Sequence, residues 1–477
     1  MRELTLPGRI GRRLARRSTG GDAALVVLSR AADGSKLWLV IAAVLGLSGG
    51  RFRRRAALRG LLAVGLATGL ANGPLKLVVR RDRPRRSRVT SRLPGFPTPR
   101  TSSFPSGHAT AGFAFAVGAG QEVPLLAGPL VGLAGAVAYS RVRTGAHHPS
   151  DTVVGAVVGA GAALVTRRLW PVAPHEPACV RISLEPTEVE PSPQGDGLVI
   201  VVNPSAGSSG HAAEELRAEL PDAEVVELEE GDDLEAALQQ AADRGRALGV
   251  VGGDGSINTA ASISAETGKP LLVVPGGTLN HFAYALGLES IADAARAVRE
   301  GRTVAVDRAV IDGHTFVNTA SIGNYVDLVD AREKLEARIG KWPAVVVALY
   351  NVLRSAEPVD LELDGERRKV WMVFIGNCRY LPPGFAPSWR ERLDDGELDV
   401  RIIDGTQPYS RARLLLAVMT GRLARCGAYE QRYVRSLKVK SLEGRLRLAR
   451  DGETFDGSDE FTIGKADEAL LVYVPEP

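Results

Sequence analysis

Apolar residues are distributed differently in the two parts of this chain. In the first third they form stretches rich in alanine and glycine, at 37–49, 57–79, 109–121, 123–139 and 152–169. Arginine clusters flank these stretches, as they often flank helices that cross a membrane, and small residues let such helices pack closely in lipid. Several stretches are short for a full span of about 20 residues. The pattern predicts an all-α transmembrane helical bundle, with a buried bundle in a soluble protein as the alternative.

Residues beyond 170 have a different texture. Six prolines between 171 and 193 indicate a linker at 171–196. Apolar runs that end in polar or glycine-rich turns then alternate with helical patterns, which predicts a parallel α/β sheet. The strands are expected at 198–202, 224–228, 247–251 and 270–275, and the helices at 211–219, 232–244 and 256–267.

The pattern changes again after about residue 303, where strands follow one another without helical patterns between most of them. They are predicted at 304–306, 308–311, 315–321, 359–363, 370–374, 398–403, 433–439, 446–449 and 469–474. This predicts an antiparallel β lobe. The expected organisation is therefore a basic leader that lies at a membrane surface (1–34), a membrane domain (35–170), the linker, and a two-lobe domain (197–477) divided into 197–303 and 304–477.

Charge and cysteine content limit the functional classes. A net charge of +4 on 477 residues is modest, and the arginines lie beside apolar runs, so no nucleic-acid partner is expected. Three scattered cysteines exclude a disulfide framework and show no metal-type spacing. A reducing compartment suits the part of the chain that holds Cys378 and Cys426.

Three segments of the predicted bundle carry groups suited to phosphate-ester cleavage. Cationic side chains can clamp phosphoryl oxygens, one imidazole can attack phosphorus, and another can protonate the leaving oxygen. Asp151 follows His147 by four residues, which would let its carboxylate hold the far ring nitrogen. The turn before Ala109 opens an apolar helix, whose free N–H groups would form an anion seat.

These segments resemble the three-part signature of the type 2 phosphatidic acid phosphatases, which are relatives of bacterial acid phosphatases and vanadium haloperoxidases. They read K-x6-R-P at 76–84, P-S-G-H at 105–108 and S-R-x5-H-x3-D at 140–151. The resemblance implies that His147 forms a phosphohistidine, that Asp151 orients it, and that His108 is the general acid. It implies no cofactor for hydrolysis, and phosphate-binding roles for Lys76, Arg83, Ser106, Gly107 and Arg141. The neighbouring His148 lacks the four-residue step to Asp151.

The second region has phosphate-type turns after three predicted strands, at 203–207, 252–258 and 275–280. Together they resemble the catalytic domain of diacylglycerol kinases, shared with sphingosine and ceramide kinases and bacterial lipid kinases, over about 197–477. The resemblance implies ATP and Mg²⁺ as cofactors. The nucleotide-binding residues it implies are Asn203, Gly252, Gly253, Asp254, Gly255, Ser256, Asn258, Gly277, Thr278, Asn280 and Glu453.

Two downstream segments agree with this resemblance. Asp451-Gly452-Glu453 resembles the family's D-G-E motif, in which the aspartate deprotonates the lipid hydroxyl, although an Asp-Gly pair between strands is also a common hairpin turn. The segment 393–399 resembles the one that holds a structural Mg²⁺, with Asp395 as the expected ligand and backbone oxygens near Arg392 and Glu397 assisting.

The sequence therefore predicts a bifunctional, multi-pass enzyme of the cell membrane with lipid substrates. The kinase domain is expected to be cytoplasmic, because it needs ATP. The phosphatase site is expected on the opposite face, because Asp151 precedes the run 152–169. Five spans would place the N-terminus outside, which its arginines oppose. The alternatives are a membrane-anchored nucleotide-binding regulator with an inactive kinase half, and prenyl or sphingoid substrates. The oligomeric state is left open.

Overall fold

The computed structural model describes residues 20–84, 102–178, 186–188, 192–204, 209–277, 279–323, 326, 357–383, 388–467 and 469–476. The chain divides into two compact units, Met1–Ala173 and Pro174–Pro477. Two sequence-based boundaries differ from this division. Part of the expected leader is a helix that packs within the first unit, and part of the expected linker, Pro186–Glu188, is a strand of the second unit.

The described part of the first unit is helical, as predicted. Its helices are α1 (Gly20–Ala31), α2 (Lys36–Leu47), α3 (Arg51–Leu70), α4 (Gly107–Glu122), α5 (Pro124–Arg143) and α6 (Pro149–Leu169). Helix α3 continues through a π-helical turn, Ala71–Leu75, to Val78. Among the described residues, three helices are long and apolar enough to cross a membrane: Arg51–Val78, Pro124–Arg143 and Pro149–Leu169. The predicted stretches 37–49 and 109–121 are also helical, but α2 has 12 residues and α4 has 16.

Helix α4 is the centre of the bundle and packs closely on α6. A Cβ atom at Gly155 of α6 would lie 2.7 Å from the backbone oxygen of Ser106, and one at Gly159 would lie 2.3 Å from the backbone oxygen of Thr110. Only glycine permits two helix backbones to approach so closely. Because Gly155 lies one turn after Asp151, this packing brings Asp151 to the start of α4.

A buried cluster of charges ties α3 to α4 and to the end of α6. The carboxylate of Glu122 accepts hydrogen bonds from Arg55 Nε at 2.9 Å and from Arg59 Nε at 2.7 Å. Both arginines also donate to the carbonyl of Pro171 and lie over the ring of Trp170. A charge at this depth is tolerated because it is paired and fully hydrogen-bonded.

The second unit begins with a seven-stranded sheet in the order β1-β6-β20-β5-β4-β2-β3. Strands β2 to β5 and β20 run parallel, whereas at one edge β6 is antiparallel to β20 and β1 is antiparallel to β6. The strands are β1 (Pro186–Glu188), β2 (Leu198–Val202), β3 (Glu224–Glu227), β4 (Ala247–Gly252), β5 (Leu271–Pro275), β6 (Arg302–Val306) and β20 (Leu470–Tyr473). The helices are α7 (Ser209–Glu219), α8 (Leu234–Arg244), α9 (Asp254–Thr267), α10 (His281–Leu286) and α11 (Ile291–Glu300).

This sheet corrects the expected lobe boundary. Strand β20 was assigned to the β lobe, but it lies between β5 and β6 of the first sheet. The apolar pattern of residues 469–474 fits a buried strand in either sheet, so it could not show which neighbours the chain end would find.

The second lobe is an eleven-stranded antiparallel sheet, which confirms the prediction. Its strands are β7 (Ala309–Ile311), β8 (His314–Phe316), β9 (Thr319–Gly323), β10 (Val359–Leu363), β11 (Glu366–Asn377), β14 (Leu398–Asp404), β15 (Tyr429–Val434), β16 (Ser436–Ser441), β17 (Arg447–Arg450), β18 (Glu453–Asp456) and β19 (Glu460–Lys465). Strands β12 (Tyr380–Leu381) and β13 (Trp389–Arg390) form a small separate pair, and helix α12 (Ser410–Met419) joins β14 to β15.

Two predicted strands, 315–321 and 433–439, are each divided in the structure. The first is interrupted because the backbone N–H groups of Val317 and Asn318 donate to the Asp451 carboxylate and not to a neighbouring strand. The second is divided at Arg435, where β15 pairs with β14 and β16 pairs with β10 and β19.

The close packing of α4 on α6 predicts different effects at two glycines of α6. Gly159→Ala is expected to lower stability by about 1–3 kcal/mol, because the new methyl group meets the α4 backbone. The matched control is Gly161→Ala, where a Cβ atom meets nothing within 4 Å. Thermal unfolding of the purified chain in detergent checks this, and equal melting temperatures for the two variants would contradict the packing.

Candidate active sites

The first site surrounds His147, which lies in the turn between α5 and α6. Its side chain is buried, and its Nδ1 lies 2.6 Å from the backbone oxygen of Ser103. A carbonyl oxygen can only accept a hydrogen bond, so Nδ1 carries the proton and Nε2 keeps its lone pair. Burial and the positive charges of Arg83 and Arg141 lower the pKa of His147 to about 3. The ring is therefore neutral at physiological pH, as a nucleophile requires.

Asp151 holds the local backbone and not the imidazole directly, which corrects the expected contact. Its Oδ2 is 3.9 Å from His147 Nδ1, beyond hydrogen-bonding distance. It instead accepts the backbone N–H of His148 at 2.9 Å and Arg81 Nη1 at 2.9 Å. The ring-orienting contact of His147 is the Ser103 carbonyl, and Asp151 acts on the turn that follows the ring.

The expected cationic residues lie on several sides of this turn. Arg83 donates from Nη1 to the carbonyl of Ala146 at 2.8 Å and from Nη2 to that of Ser102 at 3.3 Å, so it joins the segments on either side of His147. Lys76 donates to Asn72 Oδ1 at 2.8 Å, and that oxygen lies 3.9 Å from where a Cβ atom at Gly107 would be. Arg141 is buried at the end of α5 and donates to Ser29 of α1 at 2.6 Å.

His108 has a partner that the sequence did not indicate. Its Nε2 lies 2.8 Å from Oδ1 of Asp33, in the 3₁₀ turn between α1 and α2. The same oxygen lies 3.7 Å from Arg141 Nη1. A carboxylate accepts, so His108 Nε2 carries a proton directed at an anion. The Asp33 carboxylate thus lies between the His108 imidazole and the Arg141 guanidinium. An oxygen of a phosphate ester would be suited to the same position.

Two buried polar atoms fit an oxyanion ligand here. The hydroxyl of Ser106 and Nε of Arg141 are buried and have no hydrogen-bond partner within the described ranges. Buried polar groups are normally paired, so unpaired donors beside a neutral imidazole are suited to a ligand. Ser106 also precedes α4, whose first N–H groups, beginning at Gly107, have no partner within the helix.

The second site lies at the carboxyl ends of β2, β4 and β5, which are adjacent in the first sheet. The turns there contact one another. The N–H of Asn203 donates to Val251, and that of Gly276 donates to Gly252, both at 3.0 Å. A Cβ atom at Gly277 would lie 2.6 Å from Cα of Gly253. Helix α9 starts at Asp254, immediately after these turns, so its N-terminus faces the region where backbone N–H groups converge.

Several side chains expected to bind nucleotide are engaged within the protein. Asn280 bonds in both directions with the backbone of Gly277 at 2.8 Å, and Asn203 Nδ2 donates to Ser256 Oγ at 2.8 Å. The buried Asn258 donates to the carbonyl of Thr315 at 3.0 Å. These side chains stabilise the conformation of the turns. The turns therefore present their backbone groups, and not these side chains, to a ligand. Thr278 lies outside the described residues.

The β lobe contributes acidic groups to the same place. A Cβ atom at Gly255 would lie 2.5 Å from Oε1 of Glu453, so the Glu453 carboxylate lies directly against the start of α9. Asn318 Nδ2 donates to Asp254 Oδ1 at 3.3 Å. The structure therefore brings Asp254, Glu453 and the Asp451 segment together, although they are almost 200 residues apart in sequence.

Asp451 is both a turn residue and a buried carboxylate. It lies in the two-residue hairpin between β17 and β18 with a φ of 42°, so the turn interpretation is confirmed. Its oxygens accept the N–H groups of Val317, Asn318 and Thr319 at 2.8–3.0 Å. Burial raises the pKa of Asp451 to about 7, and the Asp254 charge adds to this while the N–H donors oppose it.

Asp395 lies in a group of three ionisable side chains with Asp307 and Cys378, whose ligand atoms are all within 4.8 Å of one another. The two carboxylates fit Mg²⁺, which prefers oxygen ligands, whereas the thiol does not. Burial raises the pKa of Cys378 to about 12, so it stays protonated. Lys465 also brings its ammonium group within 3.1 Å of Asp307 Oδ2. The carbonyl of Glu397 accepts the Cys378 N–H at 3.0 Å, which keeps this loop beside the cluster.

Sequence reasoning missed several residues of both sites. Arg81 lies in an arginine-rich stretch without distinctive spacing, and the Ser103 carbonyl has no side-chain signal at all. Asp33 lies far upstream, in a segment that was expected to be a leader. In the second unit, Asp307 directly follows β6. Its position as an acidic residue at the end of a strand is the sequence signal that could have identified Asp307 as a site residue.

Comparisons with known proteins agree with this two-unit arrangement. The profile of the PAP2 superfamily matches residues 57–173, and that of the diacylglycerol kinase catalytic domain matches residues 197–311. The decaprenylphosphoryl-5-phosphoribose phosphatase of Mycolicibacterium smegmatis is 38% identical over 131 residues, which cover 27% of this chain and 67% of that protein.

Further relatives match the second unit. A YegS-like protein of Pseudomonas savastanoi, named a probable lipid kinase, is 27% identical over 287 residues, 56% of this chain and 92% of that protein. An uncharacterized Synechocystis protein is 23% identical to this chain. The match covers 54% of this chain and 63% of the Synechocystis protein. The fold also matches a crystal structure of a diacylglycerol kinase from Bacillus anthracis, with 20% identity and a TM-score of 0.42. The match covers 58% of this chain and 97% of the B. anthracis chain.

The contact of Asp33 with His108 predicts competition with anions at the first site. Asp33→Asn is expected to strengthen inhibition by orthovanadate about three- to tenfold, because a charge-assisted hydrogen bond no longer competes for His108 and Arg141. Inhibition constants for phosphate release check this. The control is Asp22→Asn, a charge change in the same N-terminal segment. Unchanged vanadate inhibition in Asp33→Asn would show that the carboxylate does not occupy the anion position.

Proposed function

We propose that this chain, which belongs to the PAP2 superfamily and joins a PAP2 phosphatase domain to a diacylglycerol kinase catalytic domain, is a bifunctional lipid enzyme. Its first unit hydrolyses a lipid phosphate monoester, and its second transfers the γ-phosphate of ATP to a lipid alcohol. The observation that carries the first activity is the neutral, carbonyl-held His147 beside unpaired buried donors. The observation that carries the kinase activity is the convergence of the glycine turns with Asp451 and Glu453.

Hydrolysis follows from the roles of two histidines. Nε2 of His147 attacks phosphorus, an N–P bond forms and the P–O ester bond breaks, while the positive charge on the ring is stabilised by the Ser103 carbonyl at Nδ1. Arg141, Arg83 and Lys76 hold the phosphoryl oxygens. A bound phosphate anion favours the imidazolium form of His108, whose Nε2 proton passes to the departing alkoxide and leaves the neutral ring. Water then cleaves the N–P bond and returns a proton to His108, which releases inorganic phosphate.

Phosphorylation follows from positioning and from one carboxylate. The backbone N–H groups of the turns at Gly252-Gly253 and Gly277 and the start of α9 hold the ATP phosphates. Ionised Asp451 takes the proton of the lipid hydroxyl as the hydroxyl oxygen bonds to the γ-phosphorus, and the bond from the γ-phosphorus to the bridging oxygen breaks, so that ADP leaves. Asp254 and Glu453 are the carboxylates that would hold Mg²⁺ at the phosphates, where the ion would neutralise their charge. Asp395 and Asp307 would hold a structural Mg²⁺ away from the reacting atoms.

The substrate class is supported by the surroundings of each site and by the relatives. Three helices among the described residues are long and apolar enough to cross a membrane, which supports a protein of the bilayer and favours a lipid-linked phosphate over a soluble one. The M. smegmatis relative is named for a prenyl-linked phosphoribose and the P. savastanoi relative for a lipid kinase. Diacylglycerol is the proposed kinase substrate, and a prenyl-linked phosphate is a second candidate at the phosphatase site. The kinase faces the cytoplasm and the phosphatase site the other side of the membrane.

The two activities are expected to separate by mutation. His147→Ala should lower phosphate release at least about a hundredfold and leave lipid phosphorylation intact, because the nucleophile is lost. Asp451→Asn should do the reverse, because the amide cannot accept the hydroxyl proton. The measurements are phosphate release from phosphatidic acid and transfer of radioactive phosphate from ATP to diacylglycerol.

His148→Ala is the matched control for the first variant, since its ring is adjacent but not placed as the nucleophile. Persistent phosphate release in His147→Ala would contradict the phosphohistidine step. Wild-type protein that binds ATP but phosphorylates no lipid, whether glycerolipid, prenol or sphingoid base, would favour the regulator.

The raised pKa of Asp451 predicts the pH dependence of the kinase. A general base must be ionised, so kcat/KM for the lipid should fall about tenfold per pH unit below about pH 7 and level off above it. Rates across the range from about pH 5 to about pH 9 test this, with thermal unfolding at each pH as the control for stability. A profile that stays flat down to the ordinary aspartate range would contradict Asp451 as a base with a raised pKa.

A further inference from the structure

A long excursion interrupts a hairpin of the second unit. Strands β14 and β15 pair up to Ile403 and Tyr429, and the N–H of Asp404 still donates to Ala428. A tight turn of two residues would be enough to join such strands. Instead the chain inserts 405–427, which contains α12 and a 3₁₀ turn, Leu423–Arg425. Insertions of this length in a compact domain commonly have a function of their own.

The excursion is fixed to the sheet. Trp371 Nε1 of β11 donates to Ser410 Oγ at 3.0 Å at the start of α12. Gln407 Nε2 donates to the carbonyl of Gly427 at 2.9 Å, and Arg413 donates to Gln407 Oε1 at 2.7 Å. Ser410 and Ala417 are buried. The groups that point outward from α12 are therefore held there by the fold.

Two of the outward side chains are large and apolar, which is rare among the described residues of this unit. Four large apolar side chains are exposed among the described residues of Pro174–Pro477, and two of them, Tyr409 at 85% and Leu416 at 63%, belong to the excursion. Tyr409 has a φ of 58°, in the left-handed region that favours glycine. A large aromatic ring kept in water and in an unfavourable backbone conformation has no explanation in packing.

The excursion is also strongly basic. Between Asp404 and Glu430 the sequence has arginines at 411, 413, 422 and 425 and no acidic residue. Arg413, Arg422 and Arg425 are exposed. Apolar side chains beside a cluster of arginines match an anionic lipid surface, which offers hydrocarbon to the first and lipid phosphates to the second.

We propose that the excursion 405–427 docks the kinase unit on an anionic membrane surface, with Tyr409 and Leu416 entering the interface and Arg413, Arg422 and Arg425 contacting lipid phosphates. The inference rests on the proposed lipid kinase function, because diacylglycerol lies within the bilayer and the kinase must reach it there. The excursion leaves β14 at Asp404, opposite Val370 of β11, whereas the Asp451 turn lies beside Thr319, opposite Gly376 of the same strand, so the docking surface does not include Asp451.

A fluorescent label tests the docking without catalysis. The full chain carries Leu416→Cys, with Cys179 and Cys426 replaced by serine, while Cys378 is buried. It is reconstituted in vesicles of phosphatidylcholine, alone or mixed equally with phosphatidylglycerol. The label should be quenched by spin-labelled lipid and protected from aqueous iodide, most strongly with phosphatidylglycerol. A label at Glu235→Cys on α8, an exposed polar position, is the control and should stay accessible to iodide.

Three results would overturn the proposal. One is a label at position 416 that only iodide quenches. Another is a label shielded from both quenchers, which indicates protein packed on α12. The third is energy transfer between labelled copies, which indicates a second copy of the chain. Loss of the phosphatidylglycerol preference in the variant Arg413→Gln/Arg422→Gln/Arg425→Gln supports the assigned role of the arginines, and an unchanged preference contradicts it.

Kinetics then connect docking to the reaction. Tyr409→Ser/Leu416→Ser should raise KM for diacylglycerol in mixed vesicles roughly tenfold with kcat unchanged. Phosphorylation of a short-chain, water-soluble diacylglycerol should not change. Leu442→Ser, which removes an exposed leucine outside the excursion, is the matched control. Equal KM values in all three proteins would overturn the proposal. A wild-type chain that phosphorylates neither substrate would contradict the kinase function, while the label would still decide the docking.

Discussion

Close approach of backbones at glycine is the constraint on which both sites depend. An anion seat made of N–H groups forms only where no side chain keeps the surrounding segments apart. In the first unit, Gly155 and Gly159 let α6 lie against α4, and this brings the His147 turn to the Ser106-Gly107 helix start. In the second unit, Gly253 and Gly277 let two strand-end turns touch. The catalytic side chains are added to these seats from more distant parts of the chain.

The sequence predicted the parts that rest on local pattern and missed those that rest on long-range contact. Periodicity predicted the helices, the parallel strands and the antiparallel lobe, and motif spacing indicated His147, His108 and Arg141. Pattern could not show that Ser103, and not Asp151, would bond the imidazole, because a carbonyl acceptor has no residue signature. Pattern also could not predict the contact of Asp33 with His108 or the position of β20 in the first sheet. Both depend on which segments of the chain meet after folding. The residues assigned to nucleotide contact divide in the same way: the glycines border the seat, whereas Asn258 and Asn280 support the turns around it.

Burial shifts both key groups toward their neutral forms, with opposite consequences. In the proposed mechanism neutral His147 is the form that attacks phosphorus, so burial and the neighbouring arginines would keep that nucleophile available even in acid. Neutral Asp451 cannot accept a proton, so the same effect would limit the proposed base to pH values above about 7. The three N–H groups on Asp451 are therefore significant beyond holding the turn, since they oppose burial and keep the pKa within the physiological range.

The chemistry of the two reactions constrains how one chain can use both. Cleavage of a phosphate monoester releases a lipid alcohol, and the kinase reaction consumes a lipid alcohol and ATP. If both acted on one lipid in one leaflet, the sum would be ATP hydrolysis with no change in the lipid. A useful fusion therefore needs either different lipids at the two sites or sites that open on opposite faces of the bilayer. The proposed placement of the kinase on the ATP side supplies the second of these conditions.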